Sequence, residues 1–140
     1  AWMLIKLHME STLHKGHGMH ELSIAQSIVD LVKANLPAAD ANLVKSVKVK
    51  VGQLSGVVPD SLDFCFGAIT HGTSLQGANL DIENVPFVLK CRTCTTSFES
   101  EAGIVLCPKC GGTDTEVLSG TELQVVEIEL CDEHLEKKTG

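Results

Sequence analysis

The chain has 140 residues, a formal net charge of −7 and 44% hydrophobic residues. That is room for one small domain, or one domain with a small insert, and aromatics at 4% with no Tyr make its core aliphatic. The acidic balance argues against a nucleic-acid partner, which wants a basic face, and no apolar run approaches the roughly 20 residues of a membrane span.

Residues 1–18 (AWMLIKLHMESTLHKGHG) do not read like the rest. Two methionines, a His/Gly/Lys cluster and then Met19 suggest an extension or tag: vector-derived sequence, or an upstream reading of the start codon. The segment is not a secretory signal, because its apolar run is short and lacks a small-residue cleavage site. It is left out of the expected fold, and the chain is expected in the cytoplasm.

A helix is predicted over residues 21–36, with Leu22, Ala25, Ile28, Val29, Val32 and Leu36 as its apolar stripe. Glu21 suits its first turn and Pro37 closes it. Residues 38–42 read as a loop. A strand follows over 44–54, where Val47, Val49 and Val51 alternate with Lys48 and Lys50. A second helix starts at Pro59-Asp60-Ser61, turns Leu62, Cys65, Phe66 and Ile69 to one side, and ends at Gly72. A second strand is predicted over 78–89, with Pro86 as an edge or bend.

Residues 90–115 then form a module of their own. Cys91, Cys94, Cys107 and Cys110 make two C-x-x-C pairs in CRTCTTSFESEAGIVLCPKC. Each pair offers two thiolates from a tight turn, and two such turns facing each other make a tetrahedral four-sulfur cage. Gly111 and Gly112 leave the backbone room to fold back, so that N–H groups can point at sulfur. Two disulfides or a redox dithiol are the competing readings. A structural metal is preferred because nothing in the chain argues for an oxidising compartment. Zinc is preferred to iron on frequency. Residues 97–106 are short and β-branched enough for a hairpin, and metal should supply most of the module's folding energy.

The last strand is predicted over 122–130. Leu123 and Val125 share a phase; after Val125 the phase slips, and Val126, Ile128 and Leu130 fall in step, as at a β-bulge. The tail from Asp132 is polar. Cys65 and Cys131 read as buried small hydrophobes, His71 as a helix C-terminal His and His134 as a solvated tail residue. The expected architecture is α/β (α+β): two helices on a three-stranded sheet, residues 19–89 and 116–140, with the inserted zinc-ribbon-like four-cysteine module between the last two body strands.

One stretch outside the cage carries metal chemistry. If Met19 is the true start, its α-amine, the backbone N of His20 and the His20 imidazole can close fused chelate rings on one ion. Such a set favours square-planar Ni(II) or Cu(II). Glu21 adds a carboxylate or orients the imidazole. The simpler reading is a helix start with an acidic first turn. Asp60 likewise serves as a first-turn carboxylate. No Ser/His/Asp set, phosphate-cradling loop or carboxylate pair suggests an enzyme.

With these residues in view, the chain resembles the HypA/HybF family of hydrogenase nickel-insertion accessory proteins. The likeness covers residues 19–135. It rests on MHELSIAQSIVDLV at residues 19–32, VGQLSGVVPDSLDFCF at 51–66, and the paired cysteines of 91–112. It implies a nickel metallochaperone delivering Ni(II), as cargo, to the large subunit of [NiFe] hydrogenase with a HypB-like GTPase. Urease accessory proteins are further partners in some members. Nucleic acid and membrane are not, and a homodimer is compatible with it. By resemblance, the nickel ligands fall on Met19, His20 and Glu21, with Asp60 near that site. The four cysteines match the structural Zn(2+) ligands. Retained residues 1–18 would deny Met19 its free amine. His14, His17 and His20 would then be free to compete as a histidine cluster. The rival readings are a zinc-ribbon interaction module without nickel transfer, which would want a basic hairpin, and a rubredoxin-like iron protein.

Overall fold

The computed structural model describes residues 3–13, 21–100 and 103–132. Its first element is one that the expected fold leaves out. Met3–Thr12 is strand β1. Its sequence does carry a strand's period: Ile5, Leu7 and Met9 alternate with Lys6, His8 and Glu10. Leu7 and Met9 pack against the core, and Leu13, just beyond, is buried in it.

Helix α1 spans Glu21–Ala34. Ile24, Ile28 and Val32 form one buried row, four residues apart, and Ala25 and Val29 a second. Leu22 lies outside that stripe, 53% exposed, because the row in phase with Ile28 begins at Ile24. The expected loop at 38–42 is a 3-10 turn, Ala38–Leu43.

Strand β2 is Val44–Gly52, and Val47, Val49 and Val51 are buried as their alternation predicts. Helix α2 is Pro59–Thr70, with Pro in its first turn. It buries Leu62, Phe66 and Thr70; Cys65 and Ile69 pack half-buried beside them. His71 caps its C-terminus.

The predicted strand over 78–89 is two strands. Strand β3, Asn79–Val85, runs parallel to β2. Pro86 and Phe87 then turn the chain, and β4, Val88–Cys91, belongs to a second sheet. Strands β5, Ser97–Glu99, and β6, Thr115–Ser119, flank it in the order β5-β4-β6. The expected hairpin over 97–106 is not formed. Its first half pairs backwards with β4, because the first cysteine turn is itself a hairpin turn, and residues 103–106 lie outside any strand.

Strand β7, Leu123–Asp132, returns to the body between β1 and β2. The body sheet is therefore four-stranded, in the order β1-β7-β2-β3, where three strands are expected. The cause is the β7 edge. Without β1 it would present a row of unpaired N–H and C=O groups, and an alternating apolar strand satisfies them. The slip of phase is a true bulge. Lys48 pairs with Glu127 and Val49 with Val125, leaving Val126 over. That extra residue keeps Leu123, Val125, Ile128 and Leu130 all on the buried side. Both helices and the inward rows of the sheet share one core, aliphatic but for Phe66.

Candidate metal centre

Two crossings join the small sheet to the body, β3 to β4 and β6 to β7. They meet over the end of β2. Leu54 donates its N–H to the Gly120 carbonyl (2.8 Å), and Gln53 donates to that of Val85 (2.8 Å). The Gln53 side-chain oxygen accepts the Phe87 N–H at 3.1 Å. Gly120 has φ +110, and a Cβ there would run into Phe87. The crossing is packed to backbone contact, which fixes how the small sheet leaves the body.

At the far end of β4 the four cysteines converge. Their sulfur atoms all lie within 4.8 Å of one another. Cys91 and Cys110 are 3.5 Å apart, and Cys94 and Cys107 are 3.6 Å apart. Zn–S bonds of about 2.3 Å set tetrahedral S···S edges of about 3.8 Å, so the cluster has the size of such a cage. The donor set therefore fits a closed tetrahedral metal site. Two disulfides would need sulfurs at about 2.05 Å, and all four cysteines are free thiols.

The two turns that carry the sulfurs have the same backbone. The Cys91 N–H donates to the Thr96 carbonyl and the Thr95 N–H to that of Cys91, both at 2.9 Å. The Cys107 N–H donates to Gly112 (2.9 Å) and the Gly111 N–H to Cys107 (2.8 Å) in the same pattern. An Arg92–Asp114 ion pair at 3.0 Å bridges the turns on the exposed side.

This scaffold points hydrogen-bond donors at sulfur, as the Gly-rich turn predicts. The Thr96 hydroxyl and then its N–H hold the Cys94 thiol down at about 6. Cys91 is also lowered, chiefly by the Cys94 N–H. The Gly112 N–H favours the Cys110 thiolate, but the Cys91 sulfur, burial and the other two sulfurs outweigh it and push this thiol up to about 12. Four thiolates crowded together cannot all ionise alone; a divalent cation at their centre removes that conflict. Thr95 and Thr96 are site residues that the cysteine spacing does not mark. Their only trace in the sequence is a pair of hydroxyls after Cys94.

Met19 and His20 lie outside the described residues. Glu21 is the half-buried first residue of α1, and Asp60 is exposed in the first turn of α2. Neither belongs to a group of three or more His, Cys, Asp or Glu close enough to share an ion; among the described residues the four cysteines alone do. Cys65 and Cys131 are half-buried free thiols rather than fully buried ones. His134 lies outside the described residues. Among those residues no helix is long and apolar enough to cross a membrane.

Known proteins resemble this arrangement along most of the chain. The sequence model of the family described as "Hydrogenase/urease nickel incorporation, metallochaperone, hypA" matches residues 19–130. A hydrogenase maturation factor HypA from Geotalea uraniireducens is 46% identical over 112 residues, covering 80% of this chain and 99% of its own. One from Streptomyces avermitilis is 45% identical over 114 residues, covering 79% of this chain and 86% of its own. The solution structure of the Ni metallochaperone HypA from Helicobacter pylori has the same fold. Its TM-score is 0.54 at 24% identity, over 80% of this chain and 97% of that one.

Proposed function

The chain belongs to the HypA family of hydrogenase and urease nickel incorporation metallochaperones, and from that premise we propose that it binds Ni(II) itself and delivers it during [NiFe] hydrogenase maturation. Residues 19–21 hold the cargo, through the backbone at Met19, the His20 imidazole and the Glu21 carboxylate. Asp60 acts near that site. Cys91, Cys94, Cys107 and Cys110 hold a structural Zn(2+). The observation that carries the reading is the closed four-sulfur cluster in a chain of this family, from which Glu21, the first residue of α1, stands apart.

A chaperone must select its metal and then release it. Sulfur on all four corners leaves no open position for exchange, which suits a permanent ion. Backbone, imidazole and carboxylate at a helix start can be dismantled by a partner. An imidazole ordinarily protonates near pH 6.5, about where nickel should begin to leave. The partners are a HypB-like GTPase and the hydrogenase large subunit, with urease accessory proteins as a second route. The protein works in the cytoplasm and catalyses no reaction of its own. Four thiolates would also hold iron, so the identity of the structural metal is part of the test.

Metal analysis before and after adding nickel gives that test. One equivalent of zinc, and about one of nickel after loading, fits the proposal. His20→Ala should lose the nickel and keep the zinc; nickel uptake unchanged by that substitution would overturn the assignment. Removing residues 1–18 frees the amine but also strips β1 from β7, so the shortened chain is compared with its amine free and acetylated. Tight binding that is indifferent to acetylation would rule out a free Met19 amine as a ligand.

A further inference from the structure

Strand β7 is treated alike by its two neighbours. Both β2 and β1 run antiparallel to it. Opposite Ile128 stand Val47 of β2 and Leu7 of β1. Opposite Glu127 stand Lys48 and His8, and opposite Glu129 stand Ser46 and Lys6. The His8 Nδ1 is 3.5 Å from the Glu127 carboxylate, and the Ser46 hydroxyl donates to that of Glu129 at 3.1 Å. Both neighbours shift register opposite Val126: β2 between Lys48 and Val49, β1 between His8 and Ser11. The two strands thus read one template, apolar toward the helices and cationic or polar on the outer face.

Their standing differs. The family match begins at residue 19, and the Geotalea relative is spanned over 99% of its length by 112 residues of this chain. Strands β2 and β7 belong to the common body, and β1 is laid on it. We propose that the β1-side edge of β7 is a strand-acceptor site for an extended segment of a partner protein, with apolar and basic side chains in alternation, and that residues 3–12 are its built-in occupant.

The edge backbone supplies hydrogen bonds to any strand, and the side-chain rows supply the selection. Ile128 and Leu130 ask for apolar neighbours. Glu127 and Glu129 ask for cations, since opposite charges across a strand pair stabilise it and like charges oppose it. A second copy's own β7 fails that selection. Paired antiparallel about Ile128, it would set Glu127 against Glu129. β1 meets the requirement in cis, and its tether, residues 14–20, is short. Such a link gives an effective concentration on the order of millimolar, so an incoming strand competes against β1. The proposal is independent of both metal sites.

The test uses the full chain and, as probe, a fluorescent synthetic peptide of residues 3–13. The double substitution Lys6→Glu with His8→Glu should loosen β1 from the edge. That variant should bind the peptide one-to-one and at least tenfold more tightly than the unmodified chain. Amide exchange on β7 should slow as the peptide binds. Unchanged zinc content and circular dichroism establish that the variant is folded. A peptide in which the same Lys and His are Glu should bind at least tenfold less tightly. Equal binding to both chains, equal binding of both peptides, or no uptake by the folded variant would overturn the proposal. So would dimerisation of the variant in place of peptide uptake.

Discussion

Thr95 and Gly111 occupy the same place in the two halves of the metal cluster. Each follows the second cysteine of its pair, and each donates its N–H to the carbonyl of the first. Each lies in the left-handed region, with φ +63 and +72. Glycine accepts that conformation freely, whereas a β-branched residue there is a true outlier. The Thr95 hydroxyl donates to the Cys94 carbonyl at 2.6 Å, a local bond that offsets part of the strain.

The two positions should therefore respond unequally. Gly111→Val puts a branched side chain at φ +72 and should weaken the metal-loaded module by about 1–2 kcal/mol. Thr95→Gly removes strain but loses a hydrogen bond and gains unfolded-state entropy. Its net effect should stay within about 1 kcal/mol. Zinc retention against a chelator of known affinity measures both. Equal losses at the two sites would mean that the two halves are not equivalent.

In the interval after the metal is stripped and before the small sheet opens, the thiols should separate by ionisation rather than by exposure. Cys110 is the most exposed of the four, yet its thiol sits up at about 12; Cys94 is half-buried with its thiol down at about 6. Only thiolate reacts with iodoacetamide. At pH 7 Cys94 should be alkylated first and Cys110 last, and the Cys94 rate should fall as pH drops through about 6. The sign for stability follows. A thiol depressed from 9.0 adds stability to the metal-free fold above pH 9, lost as pH falls toward 6; Cys110, raised, adds stability below pH 9, lost as pH rises through 12. Peptide mapping after brief labelling checks the order, and bound metal should protect all four.

Metal removal should unfold the small sheet and spare the body. Among the described residues, the buried apolar ones outside the body's core are Phe87, Leu89, Cys91 and Cys107, two of them cysteines of the cluster. So few cannot offset the entropy of ordering three strands. A structural zinc contributes on the order of 10 kcal/mol in isolated modules of this kind. Amide exchange in chelator should speed up across β4, β5 and β6 while β2 and β7 stay protected. Loss of protection in both sheets together would show that they fold as one unit.

Gly120 and Gly72 separate close packing from backbone preference. Both have positive φ, +110 and +76. A Cβ at Gly72 meets nothing within 4 Å, so Gly72→Ala should cost about 1 kcal/mol from conformation alone. A Cβ at Gly120 would lie 2.9 Å from the Phe87 Cβ and closer still to its backbone. Gly120→Ala should cost about 3 kcal/mol or more, because the crossing between the two sheets must open. Thermal unfolding of the two variants beside the parent measures the difference.

Much of this was legible from residue spacing. The cysteine pairs announced the cluster because tetrahedral sulfur ligation needs two tight turns, and tight turns have short, fixed spacing. The phase slip after Val125 announced the bulge, because burial on one face leaves a period of two no freedom. The start of α2 was marked by Pro59, whose ring suits a first helical turn. Other features left weaker traces. Leu22 fitted a helical stripe as well as Ile24 did, and only packing against α2 and the sheet chose between them. The hairpin expected over 97–106 lost to β4, since the cysteine turn brings β4 and β5 together first.

Local chemistry alone determined the four-cysteine cluster, the two amphipathic helices and the inward rows of valine and isoleucine, because each is written in a repeat no longer than a few residues. Tertiary structure alone decided that residues 3–12 complete the sheet, that the chain turns at Pro86 and Phe87 into a second one, and that Thr95 takes a glycine's conformation. Those outcomes depend on which backbone edges and crossings remain to be filled once the rest has packed. Contacts between residues far apart in sequence settle that, and no local pattern records them.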